Sequence, residues 1–428
     1  MVSKVFITSI SIDSRKIKKG DLYIAIKGKR FNGNRFVKDA LEKGAIYAII
    51  SDSKYQDSKT ILVNSGKKAL SDIASYLVNK IQPIVIAITG SNGKTTTKEL
   101  IVSIMKCYLT ANQLVFSEGN FNNDIGLPLT LLKLNSTHTH AILEMGMNHA
   151  GELNQLTKIA APDLAVITNI GEAHIENFES RKDIATAKKE ILNDMPSGAI
   201  AILPRDDQYF NYLAQGQERL EIISFGKKAN ALIYGDEISS GILKVFVPNE
   251  NFIISKKLLG KNNTLNILAA VACCYALNIS KECIQKGIEI MDPIPGRLEL
   301  LLGIESSTVI NDTYNANPSS TEEAINVLTA TKGKKLFVFG DMAELGRDSI
   351  MFHEEIGKYI NKTQINLTLG VGEFSKVTIK QLGKKGMWFQ SKTHLIEELI
   401  KLIDSKTTIL VKGSRLMGME QIISKIIK

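Results

Sequence analysis

Residues 87–100 read AITGSNGKTTTKEL, an apolar run that breaks into Gly, Ser, Asn and Gly before a lysine and a row of threonines. A Gly-rich turn between a strand and a helix aims backbone N–H groups and the positive end of the helix at an anion. In that frame Gly90, Ser91, Asn92 and Gly93 wrap a phosphate chain. Lys94 neutralises its outer charges, the Thr95 hydroxyl reaches a magnesium ion, and Thr96 continues the first helical turn. A strict P-loop would carry glycine at position 88, where Ile88 stands. The loop is therefore a variant with glycines at Gly90 and Gly93.

Two further side chains fit the same chemistry. Glu144 ends the run HAILE, and His174 follows the run DLAVITNI. The carboxyl ends of parallel strands face the ligand crevice of an open α/β sheet, so both are placed where a nucleotide and its metal would sit. Alone, either would more often be a surface residue or one satisfied by hydrogen bonds; beside the phosphate loop they become candidates.

The elements that must hold these groups alternate in type. PIVIAIT, AILEMGM, DLAVITNI, GAIAILP and EIISFG read as strands. TTTKELIVSIMKCYL, DIATAKKEILNDM and NTLNILAAVACCYAL read as helices. Continuous apolar strands separated by helices predict a parallel sheet covered on both faces. GILKVFVPNENFIIS reads as a hairpin appended to that sheet. Before it, DLYIAIKG, AIYAIIS and TILVN alternate with helical patterns and predict a small α/β unit. After the Pro/Gly-rich linker MDPIPGRLE, the strands SSTVIND, KLFVFGD, NLTLGVG and TTILVKG predict a third α/β unit. The expected boundaries are 1–81, 82–296 and 297–428, consistent with a chain of 428 residues, too long for one core.

The net charge of +9 is spread along the chain, without the basic, aromatic-interleaved cluster of a nucleic-acid binder. No apolar run reaches the ~18 residues that span a bilayer, and the first residues lack a signal-peptide core. The four cysteines form no C-x-x-C pair, and Cys273 and Cys274 sit in an apolar helical run, which fits reduced core thiols. A cytoplasmic monomer is expected.

ITGSNGKTT resembles the nucleotide loop of the Mur ligase family, ATP-dependent amide-bond ligases of bacterial cell-wall synthesis; folylpolyglutamate and cyanophycin synthetases share a related loop. GKNNTLNILAA resembles the family's adenine-contacting helix start, implying Asn263 and Asn266 as contacts, although Asn262 stands where the family often has histidine. PGRLE resembles its hinge motif, with Arg297 near the nucleotide. INDTYNANPSS resembles the next motif, in which Asp312 would contact ribose or the hinge arginine. The resemblance also singles out Lys188 in DIATAKKEIL, otherwise an ordinary helix lysine, as the one modified to a carbamate. It implies ATP with two magnesium ions, held by Thr95, Glu144, His174 and carbamylated Lys188. The implied fold is three α/β domains: a small N-terminal one, a central P-loop ATPase-like one with a mostly parallel sheet, and a Rossmann-like C-terminal one.

GNFNNDIGLPLTLL, DTYNANPSS, FGDMAELG, VKGSRLMGMEQII and DSRKIKKGDLYIAIKG resemble the branch that joins D-alanyl-D-alanine to a UDP-N-acetylmuramoyl-tripeptide. That implies Ser14 and Arg15 near the uridine diphosphate. Asn122 and Asn123 are suited to a peptide backbone or sugar. Asp341, Lys412, Ser414 and Arg415 would lie near the dipeptide or the closing interface, with Arg415 as the dipeptide's carboxylate clamp. Asn34 replaces a histidine common in relatives. The rivals are a family member adding one amino acid and, in another class, a P-loop switch. The switch predicts paired acidic residues after an apolar run, whereas Glu144 stands alone.

Overall fold

The computed structural model describes residues 6–28 and 31–428, which form three sheets of four, nine and six strands. The N-terminal sheet is wholly parallel, running Ile10–Ser11, Leu22–Ile24, Tyr47–Ile50 and Thr60–Leu62. The helix Gly66–Ile81 follows it and packs on two cores. Leu70 belongs with Leu22, Ile24 and Ile49 of the small sheet. One turn on, Ala74 and Val78 join Leu127, Leu131, Leu153 and Leu156 of the central unit. A 3.6-residue period puts these three positions on one stripe, and the stripe is long enough to serve both units.

Third from one edge of the central sheet lies Ile84–Thr89, flanked by Leu164–Ile167 and His140–Glu144, all parallel. Leu114–Phe116 closes one edge. On the other side come Ile200–Pro204, Glu221–Gly226 and Ile233–Ser239, also parallel, then the antiparallel hairpin Ile242–Val247 and Glu250–Ser255. The expected hairpin is present. The strand read as AILEMGM stops at Glu144, so Met145 and Met147 lie in the following loop.

The helix Lys261–Ala276 is buried without a break from Asn266 to Cys274. It is covered by the helix Lys94–Tyr108 on one side and the sheet on the other. A helix enclosed this way is apolar all round. All four cysteines are free, and burial pushes the Cys273 thiol up to about 12.

The C-terminal sheet runs Glu299–Leu302, Thr308–Asp312, Thr407–Lys412, Lys334–Gly340, Leu367–Val371 and Gly386–Phe389. Only its first pair is antiparallel. Among the described residues no helix is long and apolar enough to cross a membrane.

Candidate active site

The loop that leaves Ile84–Thr89 is gripped by the loop that leaves the neighbouring strand Leu164–Ile167. Ser91 N–H donates to Asn169 O at 3.0 Å, and Asn92 N–H donates to Asn169 Oδ1 at 3.0 Å. The carbonyl of Asn92 accepts from Thr168 Oγ1 at 2.6 Å and Asn169 Nδ2 at 2.9 Å. Gly93 caps the helix Lys94–Tyr108 at φ +82°, and a Cβ there would stand 2.1 Å from Asn266 Oδ1. Only glycine meets both demands. The first N–H groups of that helix have no acceptor within it, and Lys94, Thr95 and Thr96 of its first turn line the cavity. Lys94 Nζ donates to Gly90 O at 2.8 Å; burial pulls its amine below the ordinary lysine value, with the Glu144 charge opposing.

Glu144 stands beside Ile88 in the sheet register and reaches across to the helix. Its Oε2 accepts from Thr95 Oγ1 at 2.8 Å, and its Oε1 accepts from Asn122 Nδ2 at 2.8 Å. Arg297 Nη2 donates to the same Thr95 hydroxyl at 2.9 Å, while its guanidinium lies 4.1 Å over the Tyr314 ring. A carboxylate and a hydroxyl in contact are hard oxygen donors suited to magnesium. Among the described residues no three His, Cys, Asp or Glu side chains converge as a metal cage. The corner therefore fits an ion whose remaining ligands are phosphate oxygens and water.

His174 has φ +63°, and its Nδ1 lies 2.8 Å from Glu344 Oε2 of the C-terminal unit. This contact holds the Glu344 carboxyl below its usual range. Lys188 is buried, at 1% exposure, and its amine joins no hydrogen bond or ion pair among the described residues. Burial, and then the charge of Lys94, push it well below the ordinary lysine value. The adjacent Lys189 instead donates to the carbonyls of Tyr212 and Gln215.

A cavity of about 340 Å³ joins these groups, a size that suits a small-molecule ligand. Ser91, Asn92, Gly93, Lys94, Thr95, Thr96, Asn122, Asn123, Glu144, His174, Asn263, Asn266, Arg297, Asp312 and Lys412 all line it. Within that wall Asn123 Oδ1 accepts from Gly126 N–H at 2.8 Å, and Asn266 Nδ2 donates to Asn263 Oδ1 at 2.9 Å. Asp312 accepts from Lys412 Nζ at 2.5 Å and from Leu298 N–H at 3.1 Å. No bond joins it to Arg297 among the described residues; it fixes the next residue of the hinge instead.

Gly90 and Lys188 are not among the cavity's lining residues. Asp341, Ser414 and Arg415 stand outside it, although the Arg415 guanidinium comes within 6.0 Å of the Tyr314 ring at its rim. Asp341 accepts from the backbone N–H groups of Ser375 at 2.6 Å and Glu373 at 2.9 Å, so both carboxylate oxygens hold the neighbouring loop. Ser414 N–H donates to Asp341 O at 2.9 Å. Ser14 and Arg15 belong to the N-terminal unit. Ser14 is buried, and the exposed Arg15 pairs with Asp13 at 2.9 Å. Asn34 is fully buried, accepting from Ser51 N–H at 2.9 Å and donating to Asn32 Oδ1 at 2.8 Å.

Sequence reasoning passed over Tyr314, Asn317, Glu323 and Glu344. One signal was present: Asn317 before Pro318 is a helix start. Its side chain bridges to the cradle, with Nδ2 donating to Asn92 Oδ1 at 2.8 Å.

Residues 6–82 match the Mur ligase family catalytic domain, residues 88–274 the Mur ligase middle domain, and residues 296–415 the Mur ligase glutamate ligase domain. A UDP-N-acetylmuramoyl-tripeptide–D-alanyl-D-alanine ligase of Buchnera aphidicola subsp. Baizongia pistaciae is 37% identical, covering 99% of this chain and 93% of its own. A crystal structure of MurF from Acinetobacter baumannii superposes with a TM-score of 0.91 at 33% identity, covering 98% of this chain and 93% of that one. MurF ligase from Thermotoga maritima, solved in complex with ADP, gives 0.88 at 27% identity over 99% and 98% of the two chains. With a phosphate loop and a carboxylate corner from the central unit, a hinge arginine from the C-terminal one, and relatives matching along almost the whole length, the chain belongs to the Mur ligase family.

Proposed function

We propose that this chain is an ATP-dependent ligase that joins D-alanyl-D-alanine to UDP-N-acetylmuramoyl-tripeptide, forming one C–N bond and releasing ADP and phosphate. The observation that carries the reading is the single cavity in which a phosphate loop, the Thr95–Glu144 corner and the hinge Arg297 meet loops of the C-terminal unit. Relatives at 30–37% identity bear the name of this activity.

In this reading residues 1–81 bind the uridine diphosphate end, with Ser14 and Arg15 beside it; residues 82–296 bind ATP; residues 297–428 bring the dipeptide. The terminal carboxylate of the tripeptide takes the γ-phosphoryl group, and the P–O bond to ADP breaks. The dipeptide amine then attacks the acyl carbon, phosphate leaves, and the amine loses its proton. Lys94 stays with the phosphate charge as it moves, and the N–H groups from Gly93 to Thr96 hold the phosphates that do not. Asn263 and Asn266 face the base. Asn122 orients Glu144, and Asn123 shapes the loop against the tripeptide. Closure by the C-terminal unit keeps water from the activated carboxylate.

Magnesium would be held by Thr95 and Glu144, and a second ion by His174 and a carbamate on Lys188, lowering the barrier by spreading phosphate charge. The enclosed, unpartnered amine of Lys188 supports that modification, because only a neutral amine adds carbon dioxide. Arg415, exposed at the rim, grips the dipeptide carboxylate. Asp341 and Ser414 hold the loops that present it, and Lys412 anchors Asp312. Use of ATP and a nucleotide-linked sugar peptide fits a cytoplasmic enzyme.

Phosphate release from ATP and magnesium is the test, with UDP-muramoyl-tripeptide and D-alanyl-D-alanine added separately and together. Both lysine and diaminopimelate tripeptides belong in the assay. Release that requires both substrates, with a product heavier by the dipeptide less water, is expected. Release with a single amino acid in place of the dipeptide, or release indifferent to both substrates, would overturn the assignment.

A further inference from the structure

The helix Lys261–Ala276 starts at Gly260 with no side-chain cap of its own. The first N–H groups of a helix need an acceptor, and this helix finds it in another unit. Lys261 N–H and Asn262 N–H, the latter at 3.1 Å, both donate to Glu323 Oε1 on the C-terminal helix Pro318–Thr329. The approach is close: a Cβ on Gly260 would stand 2.6 Å from that oxygen.

Beyond the cap, the first turns of this helix carry cavity-lining groups. Asn263 Nδ2 donates to Leu259 O at 2.6 Å, and Asn266 Nδ2 donates to Asn263 Oδ1 at 2.9 Å. Asn266 in turn packs against Gly93 of the cradle. Fixing the first turn therefore fixes both asparagines and, through them, the phosphate loop. The C-terminal helix grips that loop a second time, because Asn92 Nδ2 donates to Ser319 Oγ at 3.0 Å.

We infer that Glu323 is a positioning residue for nucleotide binding, a cap supplied across the domain boundary that completes the helix carrying Asn263 and Asn266 only while the C-terminal unit is seated. The contacts across this boundary at Asn92, Asn317, Ser319 and Glu323 are polar, the kind that forms and breaks as domains move. Linkage makes the effect reciprocal: whatever seats the C-terminal unit tightens nucleotide binding, and nucleotide seats that unit. The inference rests on the reading of this cavity as the ATP site.

The experiment is titration of the full chain with a fluorescent N-methylanthraniloyl-ATP, on wild type, Glu323→Ala and Glu323→Gln, with amide exchange at Lys261 and Asn262 read in parallel. Glu323→Ala should weaken binding about fivefold, the size of a lost helix cap, and speed exchange at those two amides. Glu323→Gln, which keeps an acceptor oxygen, should recover most of the affinity. Unchanged affinity in Glu323→Ala, or Glu323→Gln as weak as Glu323→Ala, overturns the inference while leaving the ATP site intact. Failure of wild type to bind the probe overturns the ATP reading and the inference with it.

Discussion

The central and C-terminal units use polar residues differently. On the central side Lys94, Thr95, Glu144 and Asn122 bond to one another or to their own loop, and all face the cavity. In the C-terminal unit Asp341 is occupied by two backbone N–H groups, Lys412 by Asp312 and the Asn315 carbonyl, and His353 by Met342 N–H and the Ser349 carbonyl. The first set lines the cavity, and the second, Lys412 apart, builds loops outside it. A charged residue in a turn is thus poor evidence of contact until its hydrogen bonds are counted, because a buried polar group must be satisfied somewhere.

The comparison is broken most directly at Lys94. Lys94→Ala should lower kcat/KM for ATP by about a thousandfold with little change in Tm, measured by phosphate release. A loss of only a few-fold would mean that the loop does not carry the transferred phosphate. Next, Glu144→Gln should cost on the order of a hundredfold and raise the magnesium concentration needed for half-maximal rate. An unchanged magnesium dependence would remove Glu144 from the metal corner.

Opposite behaviour is expected of two C-terminal residues. Arg415→Ala should raise KM for the dipeptide about tenfold at constant Tm. Asp341→Ala should instead cost roughly 1–3 kcal/mol of stability, from two N–H groups left without an acceptor. If Asp341→Ala shifts KM and leaves Tm alone, the division drawn above is wrong.

The smallest effect concerns acid. Burial holds His353 below its ordinary pKa, so the neutral ring accepts from Met342 N–H and donates to the Ser349 carbonyl. The unfolded chain binds the proton more readily, so stability rises with pH between the lowered folded value and ~6.5 and is lost as pH falls through that window. Thermal melts from pH 7 to 5 should show this slope, and His353→Gln should flatten it.

Much of this was legible because it is local. A strand, two glycines, a lysine and a helix lie consecutively in the chain, and Glu144 ends a strand whose neighbours can be read. The contact of His174 with Glu344 and the cap given by Glu323 join positions far apart in sequence. Glu323 sits beside Glu322 on an amphipathic helix and looks like a solvated face. The strand Ile233–Ser239 escaped notice because its second half is polar and exposed. Asp341 hid its partners in the same way: nothing in its own segment shows that the N–H groups it holds lie at Glu373 and Ser375.

The helix Gly66–Ile81, shared between the small N-terminal core and the central one, has a consequence for modularity. A fragment ending at residue 81 would carry Ala74 and Val78 into water, and one starting at residue 82 would uncover Leu127, Leu131 and Leu153. Neither half is a self-sufficient piece. The first two units should therefore melt in one cooperative step, and exchange of N-terminal units between relatives should succeed only when this helix travels with the surface that receives it.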